Sequence, residues 1–185
     1  EFNNRMYENR FNCKRKFMSH KKEKLKKIKM LLLDVDGVLT DGSITYDSEG
    51  NNLLTFNVQD GFGIANALQN GLKIGVITGR KCEAVKHRIK DLGIKEFYWG
   101  AIDKVTPYEQ VKKKHNLTDE EIAYIGDDIL DIPVLQKAGF AAIPKNARRE
   151  TRKYAHYVTD AKGGNGAVRE VIDMIMDSKK NKQDE

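Results

Sequence analysis

Five short apolar runs constrain this chain most: Met30-Leu31-Leu32-Leu33, Ile74-Gly75-Val76-Ile77, Phe97-Tyr98-Trp99, Ile122-Ala123-Tyr124-Ile125 and Phe140-Ala141-Ala142-Ile143. Each is too short for a packed helix and reads as a strand buried on both faces. Between and after them lie stretches of helical period at about 61–70, 81–91, 106–116, 130–138 and 167–176, with a further short strand at 157–159. Strands alternating with helices predict an α/β, Rossmann-like fold, its mostly parallel sheet carrying helices on both faces through right-handed crossovers. Residues 43–46 and 52–56 flank a Gly-containing turn and predict a small β-hairpin flap.

The ends of the predicted strands carry the polar signals. Asp34-Val35-Asp36-Gly37 follows the first run, Thr78-Gly79-Arg80 the second, Asp103-Lys104 comes shortly after the third, and Gly126-Asp127-Asp128, with Asp131 beyond, follows the fourth. In a parallel sheet all four ends lie on one edge, where α/β folds place their sites. Asp34 and Asp36 stand two residues apart and repel one another unless a cation or a shared proton relieves them. The reading is a Mg²⁺ site with a nucleophilic and an acid/base carboxylate, which is phosphoryl-transfer chemistry.

In that order the motifs resemble those of the haloacid dehalogenase-like phosphatases. Asp34-Val35-Asp36-Gly37 is similar to the family's first motif, Thr78 to its second, Lys104 to its third and Gly126-Asp127-Asp128 to its fourth. The stretches DVDGVLTDG (34–42), NVQDGFGI (57–64), ITGR (77–80) and GGNGAVREV (163–171) further resemble the group acting on 3-deoxy-D-manno-octulosonate 8-phosphate in lipopolysaccharide synthesis.

The resemblance implies roles residue by residue. Asp34 attacks phosphorus and forms an aspartyl-phosphate. Asp36 protonates the leaving oxygen and then activates water. Thr78 offers its hydroxyl and N–H to the phosphate, with Gly79 keeping the backbone close. Lys104 supplies a point charge to the phosphate and to Asp34. Asp34, the Asp36 carbonyl and Asp127 hold Mg²⁺, Asp128 is a further ligand or lies behind them, and Asp131 orients the site; the alternative for Asp128 and Asp131 is helix capping. Arg80 and Arg88 are the candidates for the substrate carboxylate; the alternative for Arg88 is a solvated helix face. Asn165 stands where Arg is common in that group, and 163–166 reads otherwise as a flexible loop. The family's cap domains have no room here, since the hairpin alone occupies the first insertion point. The resemblance therefore implies a homotetramer in which neighbouring subunits cover each open site.

Charge and composition exclude other classes. The net charge of +6 is misleading, because residues 1–29 hold 11 Lys/Arg against 3 Asp/Glu while the rest holds 22 against 24. The basicity is a property of the tail, so a nucleic-acid partner is not expected. No apolar run approaches the roughly 20 residues of a membrane span, and Cys13 and Cys82 read as free thiols in a reducing cytoplasm. His87, His115 and His156 show no ligand spacing. Residues 1–18 are expected to be a disordered or cloning-derived basic tail with Met18 as the native start, 19–178 the phosphatase domain and 179–185 a polar tail. Two other functions remain open at this stage: a phosphatase of a related sugar acid, such as a nonulosonate 9-phosphate, and a non-catalytic binding module.

Overall fold

The computed structural model describes residues 21–180; the tail expected over 1–18, the Ser19 helix cap and residues 181–185 lie outside the described residues. Six strands form one parallel sheet in the order β5-β4-β1-β6-β7-β8. They are β1 (Met30–Leu33), β4 (Lys73–Thr78), β5 (Glu96–Trp99), β6 (Ile122–Ile125), β7 (Phe140–Ile143) and β8 (Tyr157–Val158). β2 (Thr45–Tyr46) and β3 (Asn52–Leu53) form the separate antiparallel hairpin, each strand shorter than its apolar run implied. β1 is the central strand, its Leu31 paired with Ile74 on one side and Ala123 on the other.

Because side chains alternate across a strand, β1 divides its residues between two cores. Leu31 and Leu33 join the core under α1 (21–27), α2 (Val58–Gln69), α3 (Glu83–Asp91) and α6 (Ala167–Lys179), whereas Met30 and Leu32 join the core under α4 (Val105–Lys114) and α5 (Ile132–Lys137). Helices therefore cover both faces, as the all-buried strands demanded. Tyr108, Tyr124 and Phe140 are the largest fully buried side chains.

Differences from the expected elements have local causes. α2 starts at Val58 rather than Gly61 because the Asn57 side chain caps it, accepting from Gln59 N at 2.7 Å and Asp60 N at 3.4 Å. The single helix expected over 130–138 is a 3₁₀ turn (Ile129–Asp131) followed by α5. Asp128 caps that turn, and Pro133, which has no N–H to donate, is tolerated in the first turn of α5. β4 and β5 lie to one side of β1 and β6, β7 and β8 to the other. The order thus reverses where β1 meets β6, and a crevice opens at that point beyond the strand ends.

Candidate active site

β1 delivers Asp34 to the carboxyl edge of the sheet, β4 delivers Thr78 beside it, and the turn after β6 delivers Asp127 on the other side. These line a cleft of about 510 Å³ with Asp36, Gly79, Arg80, Lys104, Asp128 and Asp131. The sequence-predicted residues are thus gathered in one place, with one exception. Arg88 lies outside this cleft. Its Nη2 donates to the Asn57 carbonyl at 3.5 Å and its guanidinium stacks on Phe56, occupying the space that Gly61 leaves by having no side chain.

Lys104 is the hub of the buried charges. Its Nζ sits 2.8 Å from Asp34 Oδ2 and 2.6 Å from Asp131 Oδ1, and it is only 4% exposed. Burial pushes the ammonium towards neutrality, but Asp34 and Asp131 outweigh it and hold its pKa above the usual lysine value. Asp131 is fully buried with both oxygens engaged. Oδ1 accepts from Lys104 and from the Tyr124 hydroxyl at 2.5 Å, and Oδ2 accepts from the backbone N–H groups of Asp127 and Asp128 at 3.0 and 3.1 Å. It therefore fixes the direction of the Asp127 turn. Asp128 is exposed and its Oδ1 accepts from Ile129 N, which makes it a helix-turn cap at the cleft rim.

One polar atom in this cluster is orphaned. Asp34 Oδ1 is buried and has no hydrogen-bond partner, the only such side-chain atom among the described residues. Oxygens of Asp34, Asp127 and Asp131 lie within 4.8 Å of one another. Burial first, then Asp131, pushes the Asp34 carboxyl up to about 7 against the pull of Lys104. Burial, Asp131 and Asp128 push Asp127 up to about 7 as well. A buried carboxylate with one unpartnered oxygen, grouped with a second crowded carboxylate, fits a hard divalent cation with oxygen ligands. Asp131, the third member of that group, already has both oxygens hydrogen-bonded. Gly37 makes this approach possible, since at φ +76° it has no Cβ to overlap the Asp127 carboxylate.

Arg80 is engaged differently from expectation. Its Nη2 and Nε donate to the two oxygens of Asp36 at 2.5 and 3.1 Å, and its Nη1 donates to Asn52 Oδ1 at 3.4 Å. The fork that suits a substrate carboxylate is thus closed on a carboxylate of the protein itself. Thr78 is buried at the end of β4, its Oγ1 accepting from Arg80 N at 3.3 Å. Tyr124 and Asn52 were not foreseen as site residues. The hydroxyl inside the otherwise apolar run 122–125 was the available signal for Tyr124, and the hairpin sequence held none for Asn52.

The 3-deoxy-D-manno-octulosonate 8-phosphate phosphatase of Salmonella typhi is 40% identical to this chain over 158 residues, covering 85% of this chain and 84% of that one. The chain belongs to the haloacid dehalogenase-like hydrolases. Residues 96–172 match the haloacid dehalogenase-like hydrolase family directly. The 3-deoxy-D-manno-octulosonate 8-phosphate phosphatase of Escherichia coli K12 is 41% identical over 153 residues, or 83% of this chain and 81% of that one. A crystal structure of that phosphatase from Moraxella catarrhalis, in complex with magnesium ion, phosphate ion and a KDO molecule, superposes with a TM-score of 0.85 at 41% identity, covering 87% and 92% of the two chains. The hydrolase fold thus extends over nearly all of the described residues.

Proposed function

We propose that this haloacid dehalogenase-like hydrolase is a Mg²⁺-dependent phosphomonoesterase that converts 3-deoxy-D-manno-octulosonate 8-phosphate to the free sugar acid and phosphate, a step in lipopolysaccharide precursor synthesis. The observation that carries the reading is the orphaned Oδ1 of Asp34, a carboxylate grouped with Asp127 in a cleft that also holds Lys104 and a guanidinium fork. The identity to phosphatases of that name supports the substrate.

In this reading Asp34 and Asp127, with the Asp36 carbonyl, would hold Mg²⁺. When bound, the ion neutralises phosphate charge and keeps Asp34 ionised. The other steps belong to the chain's own groups. Thr78 and Lys104 bind the phosphate oxygens and set phosphorus in line with Asp34. Asp34 attacks, the bond from phosphorus to the sugar oxygen breaks, and Asp36 gives its proton to that oxygen. Asp36 then takes a proton from water as it cleaves the aspartyl-phosphate, restoring Asp34 and releasing phosphate. Arg80 takes the carboxylate of the sugar acid in exchange for Asp36, which frees Asp36 to face the leaving oxygen.

The cleft is open, and the hairpin and the start of α2 expose Ile44, Tyr46, Leu53, Val58 and Phe62, each more than half accessible. A homotetramer that buries this rim and covers the cleft is the proposed assembly. Among the described residues no helix is long and apolar enough to cross a membrane. The buried free thiol of Cys82 suits a reducing compartment, and the cytoplasm is the proposed location.

The test is phosphate release from 3-deoxy-D-manno-octulosonate 8-phosphate, a nonulosonate 9-phosphate and an aryl phosphate, each with Mg²⁺ and with chelator. Mg²⁺-dependent turnover favouring the octulosonate is expected. Turnover of the nonulosonate alone would replace the substrate, and a folded protein inactive on all three would sink the phosphatase.

A further inference from the structure

The stretch NVQDGFGI (57–64) contains a carboxylate that the reaction above does not use. Asp60 is 1% exposed and lies on α2, yet its hydrogen bonds run to the far end of the chain. Oδ2 accepts from Gly166 N at 3.2 Å and Oδ1 from Arg169 N at 2.8 Å. Gly166 is the N-cap of α6, with φ +96°, and has no side chain to cap with. Asp60 fills that role from 106 residues away. A local Ser or Asp could cap a helix without burying a charge brought from another element. The imported carboxylate does something a local cap would not: it ties the loop 163–166 to α2.

That loop lies directly on the turn that carries Asp36. Gly164 N donates to Val38 O at 2.9 Å. A Cβ on Gly163 would overlap the Gly37 carbonyl, and one on Gly164 would overlap the backbone of Thr40 and Asp41. Gly37 in turn has the Asp127 carboxylate in the space a Cβ would fill. The turn is therefore packed against both Asp127 and a loop of glycines. The loop's near end is anchored as well, since Gly163 N donates to Asn146 Oδ1 at 2.9 Å.

We infer that Asp60 and Asn146 are positioning residues for the reaction: anchoring the two ends of the loop 163–166, they hold the turn 36–41 so that Asp36 meets the leaving oxygen. The inference rests on the phosphatase reading above, with Asp36 as the acid. Neither side chain touches the substrate in this account. Both act through the glycine loop, and the group they place is the one that protonates the leaving oxygen.

The test uses Asp60→Asn and Asn146→Ala in the full chain, with folding checked by circular dichroism and thermal melting. Asp60→Asn sets an amide donor against one of two backbone donors. Asn146 is exposed, so its variant is expected to fold even if the other does not, and then decides alone. The readout is kcat/KM, which reports the aspartyl-phosphate-forming step, on an alkyl and an activated aryl phosphate. An alkyl oxygen leaves badly without a proton, whereas p-nitrophenolate leaves without one. Against 3-deoxy-D-manno-octulosonate 8-phosphate, kcat/KM is expected to fall about 10- to 100-fold in Asp60→Asn and about fivefold in Asn146→Ala. Against p-nitrophenyl phosphate the loss should stay within about twofold. Equal losses on both substrates would mark a general scaffold defect and overturn the inference, as would unchanged rates in folded variants. If the wild-type enzyme ignores the octulosonate but cleaves another alkyl phosphate, the substrate proposal fails and the same comparison is made with that phosphate.

Discussion

Lys104 places its Nζ 2.8 Å from Asp34 Oδ2 and leaves Oδ1 of the same carboxylate buried and unpartnered. One oxygen is thus paired with the protein's own ammonium, and the other is the one proposed to take the cation. Lys104 can satisfy Asp34 only in part because it is shared with Asp131 at 2.6 Å.

Removing the lysine should therefore cost more than a surface charge would. Lys104→Met leaves two buried carboxylates without their cation, and breaking such a buried set costs about 3 kcal/mol or more. Urea unfolding at pH 8 without Mg²⁺ should show that loss. An unchanged midpoint would mean the lysine is not what neutralises the acids.

Stability without metal should depend on pH in a defined direction. Asp34 and Asp127 each titrate at about 7 when folded, against about 3.9 in an unfolded chain. Between those limits the folded protein binds more protons than the unfolded one, so stability declines as pH rises through the window. In chelator the melting temperature should fall from pH 5 to pH 8. Added Mg²⁺ should raise it strongly at pH 8 and little at pH 5, where the ligands are protonated. A chelated protein with a flat profile would refute the crowding of these two acids.

Asp36→Asn should separate substrates by leaving group. Loss of general-acid catalysis is worth about 10²- to 10⁴-fold, and the larger loss in kcat/KM is expected on the sugar phosphate, the smaller on p-nitrophenyl phosphate. Asp34→Asn should abolish turnover of both, at least about 10³-fold. Equal effects of Asp36→Asn on the two substrates would deny it the proton.

Arg80 is expected to set affinity for the sugar acid. Arg80→Lys keeps the charge but not the fork, so KM for the octulosonate phosphate should rise roughly tenfold to a hundredfold, from the loss of a bidentate pair. The aryl phosphate carries no carboxylate and should be much less affected. Steady-state kinetics on both substrates measures the difference.

Assembly should fail when the exposed rim is charged. Val58 is 79% and Phe62 62% exposed, so Val58→Glu with Phe62→Glu should leave the isolated fold intact. Light scattering should show a smaller species, and its activity should be lower. A wild-type protein that is monomeric at micromolar concentration would remove the proposed tetramer.

The apolar runs by themselves determined the strands. β6 and β7 fall where their residues place them, because a parallel strand buried on both faces must be apolar throughout; β5, at the sheet edge and only half-buried beyond Glu96, is placed by its aromatic run. They also determined that Asp34, Thr78, Lys104 and Asp127 would share one edge, since parallel strands all end on the same side. Element ends were less legible. The Asn57 cap moved the start of α2 and the Asp128 cap set a 3₁₀ turn ahead of α5, by local hydrogen bonding that hydrophobic periodicity does not encode.

Tertiary structure alone decided which of those groups touch. Lys104 meets Asp131 across 27 residues, Arg80 meets Asp36 across 44, and Asp60 caps α6 across 106. Each contact depends on strand order and on which face a helix packs, and a residue's own neighbours in sequence carry neither. Arg88 shows the same limit from the other side. It stands eight positions after Arg80, yet the helix turns it onto Phe56 and Asn57, into space opened by Gly61, and away from the cleft its charge suggested. Composition and spacing determined the chemistry available at the sheet edge, and packing decided which carboxylate oxygen was left free to use it.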